Sequence, residues 1–264
     1  MAVHDGAPWL REAVDSVLGQ TLRDFELIVV DDGSTDDTAT VLGRVDDPRL
    51  SVLRQTRAGL TVSLNRALRL ATAPLVARLD ADDVALPERL ARQVAFLDAH
   101  PEVGVLGTGS LDTDEPGRVL ATYRPPESDA AIRRALIRRN PFVHSSIMMR
   151  RSVLDAAGGY DETVAVAQDY ELWLRLSRLT GLANLGEPLV RRRLGANRIS
   201  IRRDRERLRT EVAVKLRALR AGAYPPWCAV FVVKPLVALA LPDGARRLLR
   251  RTVGRIMTRG SPAR

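Results

Sequence analysis

The chain is poor in lysine, cysteine, histidine and aromatic side chains, and each shortage removes a class of explanation. A single cysteine, Cys228, in 264 residues excludes a disulfide framework and any metal site built from several thiolates, and it fits a reducing cytosol. The only lysines are Lys215 and Lys234. An aspartyl-phosphate enzyme, which needs a lysine beside its phosphorylated strand-end aspartate, therefore has none to use in the first half. Aromatic residues make up 4%, few for the stacking platforms of nucleic-acid binders. The opening "MAVHDGAPWL" has neither the basic nor the apolar region of a secretory leader. Long apolar runs are also missing. The longest, "PPWCAVFVVKPLVALALP" (225–242), is broken by Lys234 and Pro235 and falls short of the roughly 20 apolar residues of a spanning helix. It leaves an interfacial segment open.

Charge is abundant and unevenly placed. Residues 1–132 hold 13 Lys+Arg against 22 Asp+Glu, whereas residues 133–264 hold 28 against 10. An acidic half joined to a basic half predicts two kinds of partner. The basic set is almost wholly arginine, whose planar fork suits phosphate, although a biased genome would give the same usage. An isoelectric point near 10.7 raises nucleic acid as a partner. The acidic strand tips described next argue against it.

The first hundred residues alternate two periodicities. Leu10, Val14, Val17 and Leu18 recur at helical spacing, and "FELIVV" (25–30) is a strand-like run stopped by "DDGSTD". A helix follows with Ser34 or Thr35 as its cap. "LSVLRQ" (50–55) and "APLVARL" (73–79) read as strands around a helix at 59–71, and Pro87 suits the first turn of a helix carrying Leu90, Val94 and Leu97. This β-α-β-α order predicts an α/β fold with a mostly parallel sheet flanked by helices, which binds ligands at strand carboxyl ends. Further on, "VGVLGTG" reads as a strand and "DAAIRRALIRRN" as a helix. "AGGY" is a helix stop with Gly158 or Gly159 left-handed, and "QDYELWLRLSRLTG" (168–181) is an amphipathic helix. From about residue 200 the pattern is Arg-rich and helical, which divides the chain into an α/β domain, 1–200, and a basic helical extension, 201–264.

Two acidic clusters fall at predicted strand ends: Asp31–Asp32, and Asp80, Asp82 and Asp83 of "LDADD". In extended chain Asp80 and Asp82 point the same way. Such a pair can hold Mg²⁺ or Mn²⁺ through oxygen, with phosphate oxygens and water completing the shell. An ion there suits a reaction in which a nucleoside diphosphate departs. Asp83 is expected to shape the turn.

Four blocks in order carry a resemblance: "AVHDGAPWLREAVDSVLGQTLRDFELIVVDDGSTDDT", "ARLDADDVALPERLARQVAFLDAHPEVGVLGTG", "GGYDE" and "QDYELWLRL". Over roughly residues 1–200 the chain resembles the family-two nucleotide-sugar glycosyltransferases, which have a GT-A, Rossmann-like fold and invert the anomeric centre. The resemblance implies a nucleotide-sugar donor, a saccharide or lipid-linked acceptor, and a Mn²⁺ or Mg²⁺ ion. It implies that Val3 and His4 of "AVHD" lie at the nucleotide, with His4 in place of the family's aromatic. Asp32 would hydrogen-bond the base, with Asp31 as the alternative or as a brace. Asp80 would face the nucleotide and ribose, Asp82 would ligate the metal, and Asp169 would be the catalytic base. Asp169 also reads as an N-cap for "YELWLRL". Either Arg57 or Arg66 would reach the diphosphate.

The chain departs from the family in four further places. Gln168 stands where the pattern has glutamate. Leu194 stands where many relatives have histidine, so that diphosphate contact is either missing or supplied by Arg191, Arg192 or Arg198. The Arg57 block lacks the family's Asn-rich wording. The chain also begins inside the opening motif, which predicts a short first strand. His144, beside Phe142 and Val143, reads as structural. The truncated motif and Gln168 keep a catalytically silent sugar-nucleotide-binding protein as the alternative. Basic and apolar stretches after residue 200 suit an anionic membrane surface, which implies a cytoplasmic protein peripheral to the inner face.

Overall fold

A computed structural model describes residues 1–195 and 203–242. Its first sheet is parallel, in the order β1 (Ala2–Val3), β2 (Leu27–Asp32), β3 (Leu50–Gln55). β2 is buried at all six positions, as a β-branched central strand covered on both faces should be. Leu10, Ala13 and Val14 of α1 (Ala7–Leu18) pack on it, with Val3, Val29 and Leu42 in the same cluster. Each such leucine or valine removed from water contributes about 1.5–3 kcal/mol. β1 is two residues long, continued by Met1, whose carbonyl accepts the Val30 N–H at 3.0 Å. Between the strands run α2 (Thr38–Gly43) and α3 (Leu60–Leu70).

The helix after "DDGSTD" starts later than its sequence suggests, at Thr38 rather than beside Ser34 or Thr35. The reason is Asp5, which takes a left-handed φ of 51°. It draws those two residues into a loop instead: its N–H donates to Ser34 Oγ (3.0 Å), and its Oδ1 accepts the Thr35 N–H (2.7 Å).

A second, mixed sheet holds β4 (Leu75–Ala77), β5 (Val84–Ala85), β6 (Val103–Thr113), β7 (Val119–Tyr123), β8 (Met148–Arg150) and β9 (Gly181–Arg193). Its order is β4-β8-β6-β9-β5, with β7 on β6. β6 and β9 run parallel, and the remaining pairs are antiparallel. The parallel reading thus holds for the first sheet and the β6–β9 pair. β9 has no expected counterpart, because Gly186 and Pro188 interrupt its pattern. Pairing absorbs them as a register shift between Thr108 and Gly109, where a strand tolerates proline.

Of the helices here, α4 (Arg89–Ala99) begins two residues past Pro87. α5 (Asp129–Leu136) stops short of Asn140, and α6 (Arg151–Ala157) ends at left-handed Gly158. α7 (Gln168–Leu176) stops before Gly181, which instead opens β9.

The chain divides into two compact units, 1–196 and 197–264. The second is described through α8 (Asp204–Arg220), a 3-10 turn (Pro226–Ala229) and α9 (Val230–Ala240). Pro235 lies inside α9 and cannot donate to the Phe231 carbonyl one turn back. Lys215 of α8, buried and paired with Glu211, donates its Nζ to that oxygen at 3.2 Å. One of the two lysines thus joins the two helices.

Candidate active site

The two acidic strand tips are built differently. At the end of β2, Asp31 is fully buried, with Oδ1 accepting the Ser34 N–H (3.0 Å) and Oδ2 facing Arg54 Nε (3.2 Å). Asp32 accepts the backbone N–H groups of Ala58 (2.7 Å) and Gly59 (2.8 Å) and the Gln55 amide (2.6 Å). Burial pushes the Asp32 carboxyl up, but these donors outweigh it and hold the group below its ordinary range. Gly33 has φ 69°, and a Cβ there would stand 2.7 Å from Arg57 N, so only glycine lets the two loops close.

After β4 lies the second tip. Asp80, Asp82 and Asp83 each offer an oxygen within 4.8 Å of the others. Arg78, buried, pairs with both Asp80 oxygens and donates to Ser145 Oγ at 3.0 Å. Burial raises Asp80, and the Arg78 charge more than reverses it, so its carboxyl is lowered. Ser145 Oγ stands between Asp80 Oδ2 (2.8 Å) and Asp83 Oδ2, and its one proton serves one carboxylate at a time. Asp83 also accepts the Arg193 N–H at 2.8 Å. Burial, then the charges of Asp80 and Asp82, push Asp83 up to about 7. Asp82 rises to about 6, from desolvation and then from Asp80. Among the described residues no side chain hydrogen-bonds the Asp82 carboxylate.

This donor set fits a hard divalent cation. It consists of carboxylate oxygens only, and it carries more negative charge than its neighbours neutralise. Asp82 is the ligand most open to an ion, with Asp80 behind it.

A fourth carboxylate faces the same region. Asp169 lies in the first turn of α7, which starts from Ala167 at a left-handed φ of 61°. It accepts the Asn140 amide at 2.6 Å and the Tyr170 backbone N–H. Asn140 Oδ1 accepts the Phe142 N–H at 3.1 Å, which fixes the amide with its NH₂ toward Asp169. Burial raises Asp169, against opposing contributions that include the Arg78 charge; Asp80 adds to the rise. Asp169 and the Asp80 loop therefore share one electrostatic neighbourhood. A metal-ready acidic loop facing a raised, half-buried carboxylate can hold a diphosphate through an ion and accept a proton beside it.

A model described as "Glycosyl transferase family 2" matches residues 1–158. The chain is 32% identical to Bacillus subtilis EpsE over 250 residues, 92% of this chain and 88% of that one. It is also 32% identical to the amylovoran biosynthesis glycosyltransferase AmsE of Erwinia amylovora, over 77% of each chain. The chain belongs to glycosyl transferase family 2. Its fold is similar to S. aureus TarS (residues 1–349) in complex with UDP, with a TM-score of 0.71 at 18% identity over 92% of this chain and 74% of that one. It is also similar to the mannosyltransferase PcManGT from Pyrobaculum calidifontis in complex with GDP-Man and Mn²⁺, with a TM-score of 0.62 at 23% identity over 97% and 79%. The transferase thus has the GT-A type of mixed α/β fold, a parallel sheet flanked by helices.

Other sequence-predicted residues of this transferase fall as follows. Val3 buries its side chain in the core, so any part it takes at the site is through its backbone. His4 is half-buried, with Nδ1 3.0 Å from the Asp32 carbonyl. Arg57 is exposed beside the Asp32 loop, and Arg66 donates to Gln55 Oε1 at 2.7 Å. Arg192 grips Asp112 with two nitrogens (2.9 and 2.6 Å), which engages its fork. Arg191 is exposed and lines a cavity of about 530 Å³ together with Asp82, Trp9 and Arg193. Arg198 lies outside the described residues. His144 sits against Tyr160 Oη (2.8 Å), and burial holds its imidazole well below the ordinary value.

Sequence reasoning gave no role to Arg78, Asn140, Ser145 or Arg193. Arg193 donates to the Asp82 carbonyl (2.7 Å), pairs with Glu12 (2.9 Å) and lies 4.0 Å over the Trp9 ring.

Proposed function

We propose that this transferase moves a sugar from a nucleoside-diphosphate donor to an acceptor hydroxyl in one inverting displacement. Its acceptor would be a saccharide or a lipid-linked saccharide, in cytoplasmic steps of cell-surface polysaccharide or glycolipid synthesis. The observation that carries the reading is the loop of Asp80, Asp82 and Asp83, closed within 4.8 Å and electrostatically coupled to Asp169. The nucleotide sugars held by related folds, UDP-GlcNAc in TarS and GDP-Man with Mn²⁺ in PcManGT, support the donor class and a divalent ion. The amylovoran role of AmsE supports polysaccharide synthesis.

In this reading Asp82 and Asp80 hold Mn²⁺ or Mg²⁺, which when bound offsets negative charge on the departing diphosphate. Asp32, together with the Ala58–Gly59 backbone it organises, forms the floor for the base. Asp169 takes the proton of the acceptor hydroxyl as its oxygen attacks the anomeric carbon. Its raised pKa makes it a stronger base than an ordinary carboxylate. Asn140 holds one oxygen of Asp169 in place.

The test is thermal stabilisation by UDP-, GDP- and dTDP-sugars with and without Mn²⁺ or Mg²⁺, followed by turnover. Metal-dependent stabilisation by one donor class is expected, with transfer lost in Asp82→Ala and Asp169→Asn. No stabilisation by any donor overturns the donor site. Stabilisation without turnover favours the silent sugar-nucleotide binder.

A further inference from the structure

The second unit shows solvent an apolar face where a soluble helix pair would show charge. Trp227, Val230, Val233, Leu236 and Val237 are each 48–63% exposed. On α9 the valines and Leu236 recur at spacings of three and four, while Val232 and Pro235 on the other side are buried. They therefore form one stripe, with Trp227 just ahead of it. Contiguous apolar patches of this kind on soluble chains mark sites of interaction.

Length and charge decide the occupant. α9 has 11 residues and so spans about 16 Å, roughly half of the ~30 Å hydrocarbon layer. Among the described residues no helix is long and apolar enough to cross a membrane. The one exposed lysine, Lys234, sits four residues after Val230 and three before Val237, at the edge of the stripe. Lysine there can bury its stem and keep its ammonium among polar groups. The sequence after α9, residues 243–264, holds seven arginines and one acidic residue. A sequence of that composition is complementary in charge to an anionic surface and not to a second copy of itself.

We infer that this unit docks the chain on an anionic lipid surface, with Trp227 and the α9 stripe seated at the headgroup–acyl boundary and Lys234 at the phosphates. The Lys215 bond to the Phe231 carbonyl holds α9 to α8 across its internal proline, so the stripe is presented on a fixed helix. No residue of the candidate active site takes part, and the inference stands independently of the transfer reading.

The test uses the full chain with vesicles of phosphatidylcholine alone or mixed with phosphatidylglycerol. Sedimentation with the anionic vesicles only is expected, together with a blue shift of tryptophan emission that Trp227→Phe removes. Val233→Glu with Val237→Glu, both at exposed positions, should cut the bound fraction at least about tenfold, with helix content and melting temperature unchanged. Three results would overturn the inference. The chain fails to bind anionic vesicles, or the double variant binds as well as the parent. The third is a lipid-free dimer by light scattering that the double variant turns into a monomer, which assigns the stripe to a second copy.

Discussion

The loops after β2 and β4 both place aspartates at strand ends, yet they are in opposite electrostatic states. Asp32 is surrounded by donors, two backbone N–H groups and an amide, and its carboxyl is lowered. Asp82 and Asp83 are raised to about 6 and about 7 by burial first and then by the charges of the neighbouring carboxylates. A lone carboxylate among donors is part of the scaffold, whereas a crowded set of carboxylates stores repulsion that a cation relieves. Position at a strand tip marks both loops for ligand binding. The crowding of three carboxylates, with Asp82 left without a side-chain donor among the described residues, separates the ion site from the brace.

The largest expected effect breaks the two loops apart. Asp82→Ala should lower metal-dependent transfer by about 10³-fold, the scale of losing one electrostatic stabiliser of a transition state. Its melting temperature without metal should stay level or rise, because a repelled charge has been removed. Asp32→Ala should do the reverse to stability. It leaves the part-buried Ala58 and Gly59 N–H groups and the Gln55 amide without their acceptor, so a loss of about 1–3 kcal/mol is expected in denaturant titrations. A destabilised Asp82→Ala or an undisturbed Asp32→Ala would erase the distinction.

Next in size is the base. Asp169→Asn should reduce turnover by about 10²–10³-fold with donor affinity unchanged, the range of general-base catalysis. Asn140→Ala should cost about tenfold in kcat with little change in KM, because it frees a carboxylate that remains present. Asn140→Asp sharpens the point by placing a second carboxylate where the amide stands 2.6 Å from Asp169. Two such groups share a proton, so the acid limb of the pH–rate profile should move up by about one unit or more. Arg78, Asp80 and Tyr160, the other titratable groups coupled to Asp169, are unchanged in that variant. An unmoved profile would reduce Asn140 to packing.

What the sequence makes legible follows sequence distance. Asp80, Asp82 and Asp83 are neighbours in the chain, so their meeting could be read directly, as could β2 and β3 from their apolar, β-branched runs. Ser145 reaches Asp80 across 65 residues, Asn140 reaches Asp169 across 29, and Arg193 reaches Asp83 across 110. No local pattern in one sequence announces such pairs, because the sheet order creates them. β9 was hidden for a related reason. Its Gly186 and Pro188 look like strand breakers until the partner strand β6 shifts register to accommodate them.

The smallest effect is also the most direct test of the difference between the loops, because it needs no mutation. For Asp82 and Asp83 the folded pKa lies above the unfolded value, so the metal-free fold binds more protons than the unfolded chain between about pH 4 and 7. Their contribution to stability therefore falls as pH rises through that window. Asp32 has the opposite sign. Its contribution is present above the unfolded carboxylate pKa and is lost as pH falls into the acid range. Mn²⁺ binds the deprotonated carboxylates, so stabilisation by a fixed Mn²⁺ concentration should be greater at pH 8 than at pH 5. At 100 times its dissociation constant the ion would contribute about 2.7 kcal/mol. Melting temperatures at the two pH values, with Mn²⁺ and with a chelator, measure this directly. Equal stabilisation at both would mean that the ion does not sit on the Asp80–Asp82 loop. In Asp82→Ala the pH dependence of the Mn²⁺ effect should shrink, while the acid-side loss due to Asp32 remains.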